Sequence, residues 1–170
     1  MKMESIEQGR EHSSVSRRAL ITLVSSLAAV LALAALAYVV DARWRASATD
    51  DLVIAFDETV TAIESGERQV NSVLEYTAPG DTESAHQEIV RAAAIDAASK
   101  ISVARDRVDA IAILPWHSDL LTAREEADIW LALRATGITS LAEQGQAIYP
   151  PQGELDDARA ALVGAFSELR

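Results

Sequence analysis

The residues best able to do chemistry in this chain are two histidines and the carboxylates near them. Glu83 and His86 stand at Glu-x-x-His spacing, which puts a carboxylate and an imidazole on one helix face, as in di-metal sites of helical bundles. Such sites need two of these motifs and two further glutamates, all projecting from mid-helix. Here the motif occurs once, on the expected first turn of a helix, where the helix dipole already favours acidic residues. His117 with Asp119, Glu125, Glu126 and Asp128 offers a second set of hard or borderline ligands. Those carboxylates also occupy the first turns of a helical segment, so dipole complementation and solvation account for them.

Other chemistries are absent from the sequence. There is no cysteine, which removes disulfides, thiolate metal sites and thiol catalysis together. The chain has no Gly-rich phosphate loop, no Gly-x-Ser-x-Gly elbow and no His-Glu-x-x-His motif. The reading is therefore no catalytic residue, no cofactor site and no metal site. An enzyme is not expected.

One aromatic turn stands out instead. Leu114-Pro115-Trp116-His117 joins two long helical segments. Trp116 is expected to close the end of a bundle core, burying its ring over the last apolar layer. The alternative is an aromatic anchor for a partner, since Trp is enriched at binding hot spots. In an up-down bundle this turn falls on the membrane-proximal side, which makes headgroup contact a third role for Trp116.

That expectation presupposes a membrane. Residues 19–40 are 22 consecutive residues without a charge, bounded by Arg17 and Arg18 on one side and Asp41, Arg43 and Arg45 on the other. As a helix the stretch is about 33 Å long, which matches a bilayer's hydrocarbon thickness. Lys2, Arg10, Arg17 and Arg18 outnumber Arg43 and Arg45, after which no basic residue occurs until Arg68. The bias places the N-terminus in the cytoplasm and the C-terminal region outside. Arg17, Arg18, Tyr38 and Trp44 are the expected interface anchors. Ser25, Ala28, Ala32 and Ala35 share one face of the span, where small residues allow a second membrane helix to approach closely.

Cleavage of this segment as a signal peptide is the competing reading. Ala35-Leu36-Ala37 and Ala46-Ser47-Ala48 both have the small-x-small form of a cleavage site, and Ser16-Arg17-Arg18 resembles the start of a twin-arginine signal. The apolar run exceeds the usual 7–15 residues of a signal peptide, which favours retention.

From Asp41 onward, 11 basic residues against 23 acidic ones leave a net charge of −12. Such a surface repels nucleic acid and anionic headgroups, so no nucleic-acid partner is expected. The region is rich in Ala, Leu, Asp, Glu and Arg. Its turn signals cluster at Ala78-Pro79-Gly80-Asp81, Leu114-Pro115-Trp116 and Tyr149-Pro150-Pro151-Gln152-Gly153. Between them lie helices expected at about 47–77, 82–114, 118–146 and 153–169. Their apolar stripes run through Leu52, Phe56, Val60, Ile63, Val70 and Leu74, then Ile89, Ala93, Ala97, Ile101, Ala104, Val108 and Ile111. Leu120, Ala123, Ala127, Trp130, Leu131, Ile138 and Leu141 lead the third, and Leu155, Ala158, Leu162, Ala165, Phe166 and Leu169 the fourth. Ser84 and Gln87 have capping-box spacing, Glu64 and Arg68 are set for an i,i+4 pair, and Gly137 marks an expected weak point.

The fold expected is all-α: a cytoplasmic tail (1–18), a transmembrane helix (19–40) and an exported antiparallel helical bundle (41–170) of three long helices and one short C-terminal one. The layout resembles bacterial single-pass envelope proteins with a helical exported domain. The preference for Arg over Lys and the abundance of Ala fit a GC-rich bacterial genome. The expected function is a membrane-anchored, non-catalytic interaction or scaffold module. Its partners would be the lipid bilayer and, through the span, itself or another membrane protein. The alternative is an exported soluble helical protein that binds a ligand or cation after signal-peptide cleavage.

Overall fold

A computed structural model describes residues 12–76 and 82–169, with side chains for 21, 22, 24–76 and 82–169. The tail before residue 12 and the Ala78–Asp81 turn lie outside the described residues, as do the side chains of Arg17 and Arg18. Four helices make up the fold, and no strand occurs among the described residues: α1 (His12–Glu75), α2 (Glu83–Asp109), α3 (Ser118–Gln144) and α4 (Gln152–Glu168). The protein is all-α. The chain divides into two compact units, with the boundary between Trp44 and Arg45.

In the first unit α1 carries no charged residue between Ala19 and Val40. Ile21, Val24, Leu27, Val30, Leu31, Leu33 and Leu36 are all exposed. By length and composition this helix is able to cross a membrane.

The second unit is a helical bundle. Its part of α1 buries a stripe of Ala48, Leu52, Ala55, Thr59, Ile63 and Val70. These positions recur at three-, four- and seven-residue steps because a 3.6-residue repeat returns them to one face. The Thr59 hydroxyl, fully buried, donates to the Ala55 carbonyl at 2.8 Å, so the stripe carries no unpaired hydroxyl there. Leu52, Ile63, Ile101, Leu120 and Leu131 are almost wholly buried. Each contributes about 1.5–3 kcal/mol of apolar burial.

The inter-helix contacts follow a consistent order. Along α1, Glu58 meets Arg107 of α2 at 2.7 Å, while Gln69, further along, meets the earlier residue Asp96 at 3.0 Å. Toward α3 the order rises: Arg45 pairs with Asp119, Phe56 packs on Trp130, and Glu67 pairs with Arg134. Between α2 and α3, Arg105 donates to Asp128 at 3.0 Å, and Arg91 to the Ala142 carbonyl at 3.2 Å. Phe166 brings α4 onto Phe56, with ring centroids 5.5 Å apart.

Several local expectations are corrected. The hydroxyl that caps α2 belongs to Thr82, which accepts from the Ala85 amide at 3.3 Å, so Ser84 falls within the first turn. Arg68 Nε donates to the Glu64 backbone carbonyl at 3.2 Å rather than to its carboxylate. Val90, not Ile89, begins the buried stripe of α2, and Leu74 is exposed. α2 ends at Asp109, not near Leu114, because Ile111 and Ile113 leave the helix and pack against the core cluster. α3 runs unbroken through Gly137. A β-carbon there would sit 2.4 Å from the Tyr149 ring, so this glycine makes room for the α3–α4 loop. That loop leaves α3 at Gly145, whose φ of 75° is the left-handed geometry of a helix C-cap.

At Gly66, α1 lies close against both α2 and α3. A β-carbon added there would lie 3.0 Å from Ala97 Cβ and 3.2 Å from Ile138 Cδ1. Gly66→Val should therefore overpack the site and cost about 1–3 kcal/mol in denaturant unfolding. An unchanged midpoint would show that the three helices do not meet there as described.

Candidate functional site

The end of the bundle where α1 enters it is closed by the α2–α3 connection. From Ala110 to Trp116 this connection is seven residues without a charge. Ile111 and Ile113 turn inward, joining Ala48, Leu52, Val108 and Leu120 in one cluster. His117 follows, only 5% exposed, and its amide donates to the Leu114 carbonyl at 2.9 Å. Arg124 Nη1 reaches back to the carbonyls of Asp109 and Ile111 at 3.4 and 3.2 Å. The Asp109 carbonyl is one that the end of α2 leaves without an intrahelical donor, and the Ile111 carbonyl belongs to the connection itself. Asp119, on the first turn of α3, pairs with Arg45 of α1. Burial raises the Asp119 carboxyl, but hydrogen bonds from Arg45 and from the Leu120 amide outweigh it and hold the pKa below its ordinary 3.8.

On this pinned connection Trp116 points outward. Its side chain is 66% exposed, with the ring edge-on to His117 at 6.1 Å. The expected core cap is therefore wrong, and the physical reason is that two isoleucines and His117 already fill the end of the core. The large aromatic inside is Trp130. It packs on Phe56 at 5.7 Å, and its Nε1 is buried without a hydrogen-bond partner among the described residues. Trp130 lies on the apolar stripe expected for α3, and only the capping role expected of Trp116 fails. The path of the 110–117 connection is what turns Trp116 away from the core.

Two of the carboxylates considered as metal ligands are held in ion pairs. Asp119 serves Arg45 and Asp128 serves Arg105. Glu83 lies on the first turn of α2, as a dipole-complementing residue would. Among the described residues no three histidines or carboxylates converge on a point where an ion could sit. Open clefts run between helices among the described residues. One of about 360 Å³ runs between α2 and α3 past Ser102, Arg105, Asp106 and Glu143.

The remaining expected positions lie on α1 in the first unit. Ser25, Ala28, Ala32 and Ala35 are exposed, as are Tyr38 and Trp44. No protein-family model, curated protein or solved structure matches the chain.

The contrast between the two indoles is directly testable. Trp116→Ala should change unfolding free energy by less than about 1 kcal/mol, whereas Trp130→Ala should cost about 3–5 kcal/mol. Equal losses would mean that Trp116 is part of the core after all.

Proposed function

We propose that the protein is a membrane-anchored, non-catalytic interaction or scaffold module of a bacterial envelope, its N-terminus cytoplasmic and its bundle outside. The observation that carries this reading is the change of burial along α1. Residues 21, 22 and 24–40 are exposed and carry no charge, whereas the stretch from Ala48 to Val70 buries a single stripe. A helix apolar all round needs an apolar environment around it, and a striped one needs only a core on one side. Within the bundle, the falling order of α1–α2 contacts and the rising order of α1–α3 contacts support an antiparallel up-down arrangement.

Retention of the span over cleavage gains support from Ala48. It is 4% exposed and belongs to the bundle core. Processing after Ala46-Ser47-Ala48 would cut through α1 and strip that residue from the layer it shares with Leu52. A non-catalytic role is supported by the commitment of the charged side chains near Trp116 to ion pairs and backbone carbonyls. The exposed small-residue face of Ser25, Ala28, Ala32 and Ala35 suits close approach of a second membrane helix, from another copy or another membrane protein.

Topology is the test of this reading. A reporter active only outside the cytoplasm, fused after Arg170, should be active. A reporter active only inside should be silent at the same site. The reverse pattern would place the bundle in the cytoplasm and defeat the proposal.

A further inference from the structure

We propose that the Trp116 tip is a second membrane contact, which seats in the interfacial layer of the bilayer and holds the bundle against it. This inference rests on the anchored reading above and deepens it by naming what the exposed indole touches. The 110–116 connection carries no charged residue of its own, and Ala110, Ala112, Pro115 and Trp116 are its exposed members. Pro115 brings no backbone N–H, and Arg124 occupies the carbonyls of Asp109 and Ile111. The backbone of the tip therefore carries fewer unpaired polar groups into a headgroup layer than an ordinary loop. Tryptophan is the side chain most suited to that layer, with an apolar ring body and one N–H donor.

Position favours the bilayer over a protein partner. The ion pair of Arg45 with Asp119 fixes the tip at the end of the bundle where the chain enters it. Arg45 is five residues beyond Val40, the last residue of the uncharged run. Whatever path those residues take, a chain spans at most about 3.6 Å per residue, so Arg45 stays within about 18 Å of the end of the span. A tethered tip meets the surface at high effective concentration, and a weak apolar contact then suffices.

The absence of cysteine makes the test clean, because one introduced thiol can be labelled without background. The full chain is placed in phosphatidylcholine vesicles with a polarity-sensitive fluorophore at Ala112→Cys, Gln152→Cys or Ala32→Cys. Quenching by iodide in the water is compared with quenching by a spin-labelled phosphatidylcholine. The Ala112 label should emit to the blue of the Gln152 label, lose iodide quenching and gain lipid quenching. Adding Trp116→Ser should restore iodide access at Ala112.

An Ala112 label as open to iodide as that at Gln152 overturns the proposal. So does one shielded from both quenchers, which would indicate a protein contact. An Ala112 signal indifferent to Trp116→Ser removes the indole from the account. Failure of the anchored reading is separately visible, since the Ala32 label would then also escape the lipid quencher and both inferences would fall.

Discussion

Everything in this molecule follows from how α1 is surrounded. A helix with apolar side chains on every face cannot satisfy them by packing on one neighbour, and in water it exposes a large unfavourable area. A helix with one apolar stripe needs a core on one side only. Both patterns occur in α1, and the change between them falls at the boundary between the two units. The remaining helices supply the core for the striped part. Nothing within the described residues covers the apolar part, so a bilayer is the environment that the proposed function assigns to it.

The bundle is assembled with small residues at helix contacts and with ion pairs between long side chains around the rim. Gly66 against Ala97, and the buried Ala93, Ala94, Ala123 and Ala127, let backbones approach. Arg105–Asp128, Arg107–Glu58 and Arg134–Glu67 then tie neighbouring helices at the edge. These pairs are partly exposed, and pairs of that kind contribute only about 0–1 kcal/mol each. Their role is in register more than in stability. Apolar burial supplies the larger part, and the aromatic group of Phe56, Trp130 and Phe166 seats α4 on it.

Much of this architecture was legible from periodicity and punctuation. The four helical segments, the proline and glycine clusters between them and most of each buried stripe follow from residue spacing alone. The misreadings share a cause. The end of α2 at Asp109 goes with Ile111 and Ile113 packing into the core, while Arg124 takes carbonyls from 13 and 15 residues earlier in the chain. The outward Trp116 depends on Ile111, Ile113 and His117 reaching the core first. Gly137 read as a helix weakener because its real reason, the Tyr149 ring, arrives from a loop that spacing cannot place. The Arg45–Asp119 pair spans 74 residues, and no local pattern announces it. In each case a tertiary contact overrode a local preference that was itself read correctly.

The central claim, that the apolar part of α1 stays in a bilayer and remains joined to the bundle, is tested most directly by washing membranes at alkaline pH. That treatment strips peripheral proteins and leaves spanning ones. The account predicts that the full-length chain stays in the membrane pellet, with its N-terminal sequence intact. Recovery of a soluble chain beginning at Tyr38 or Thr49 would contradict it.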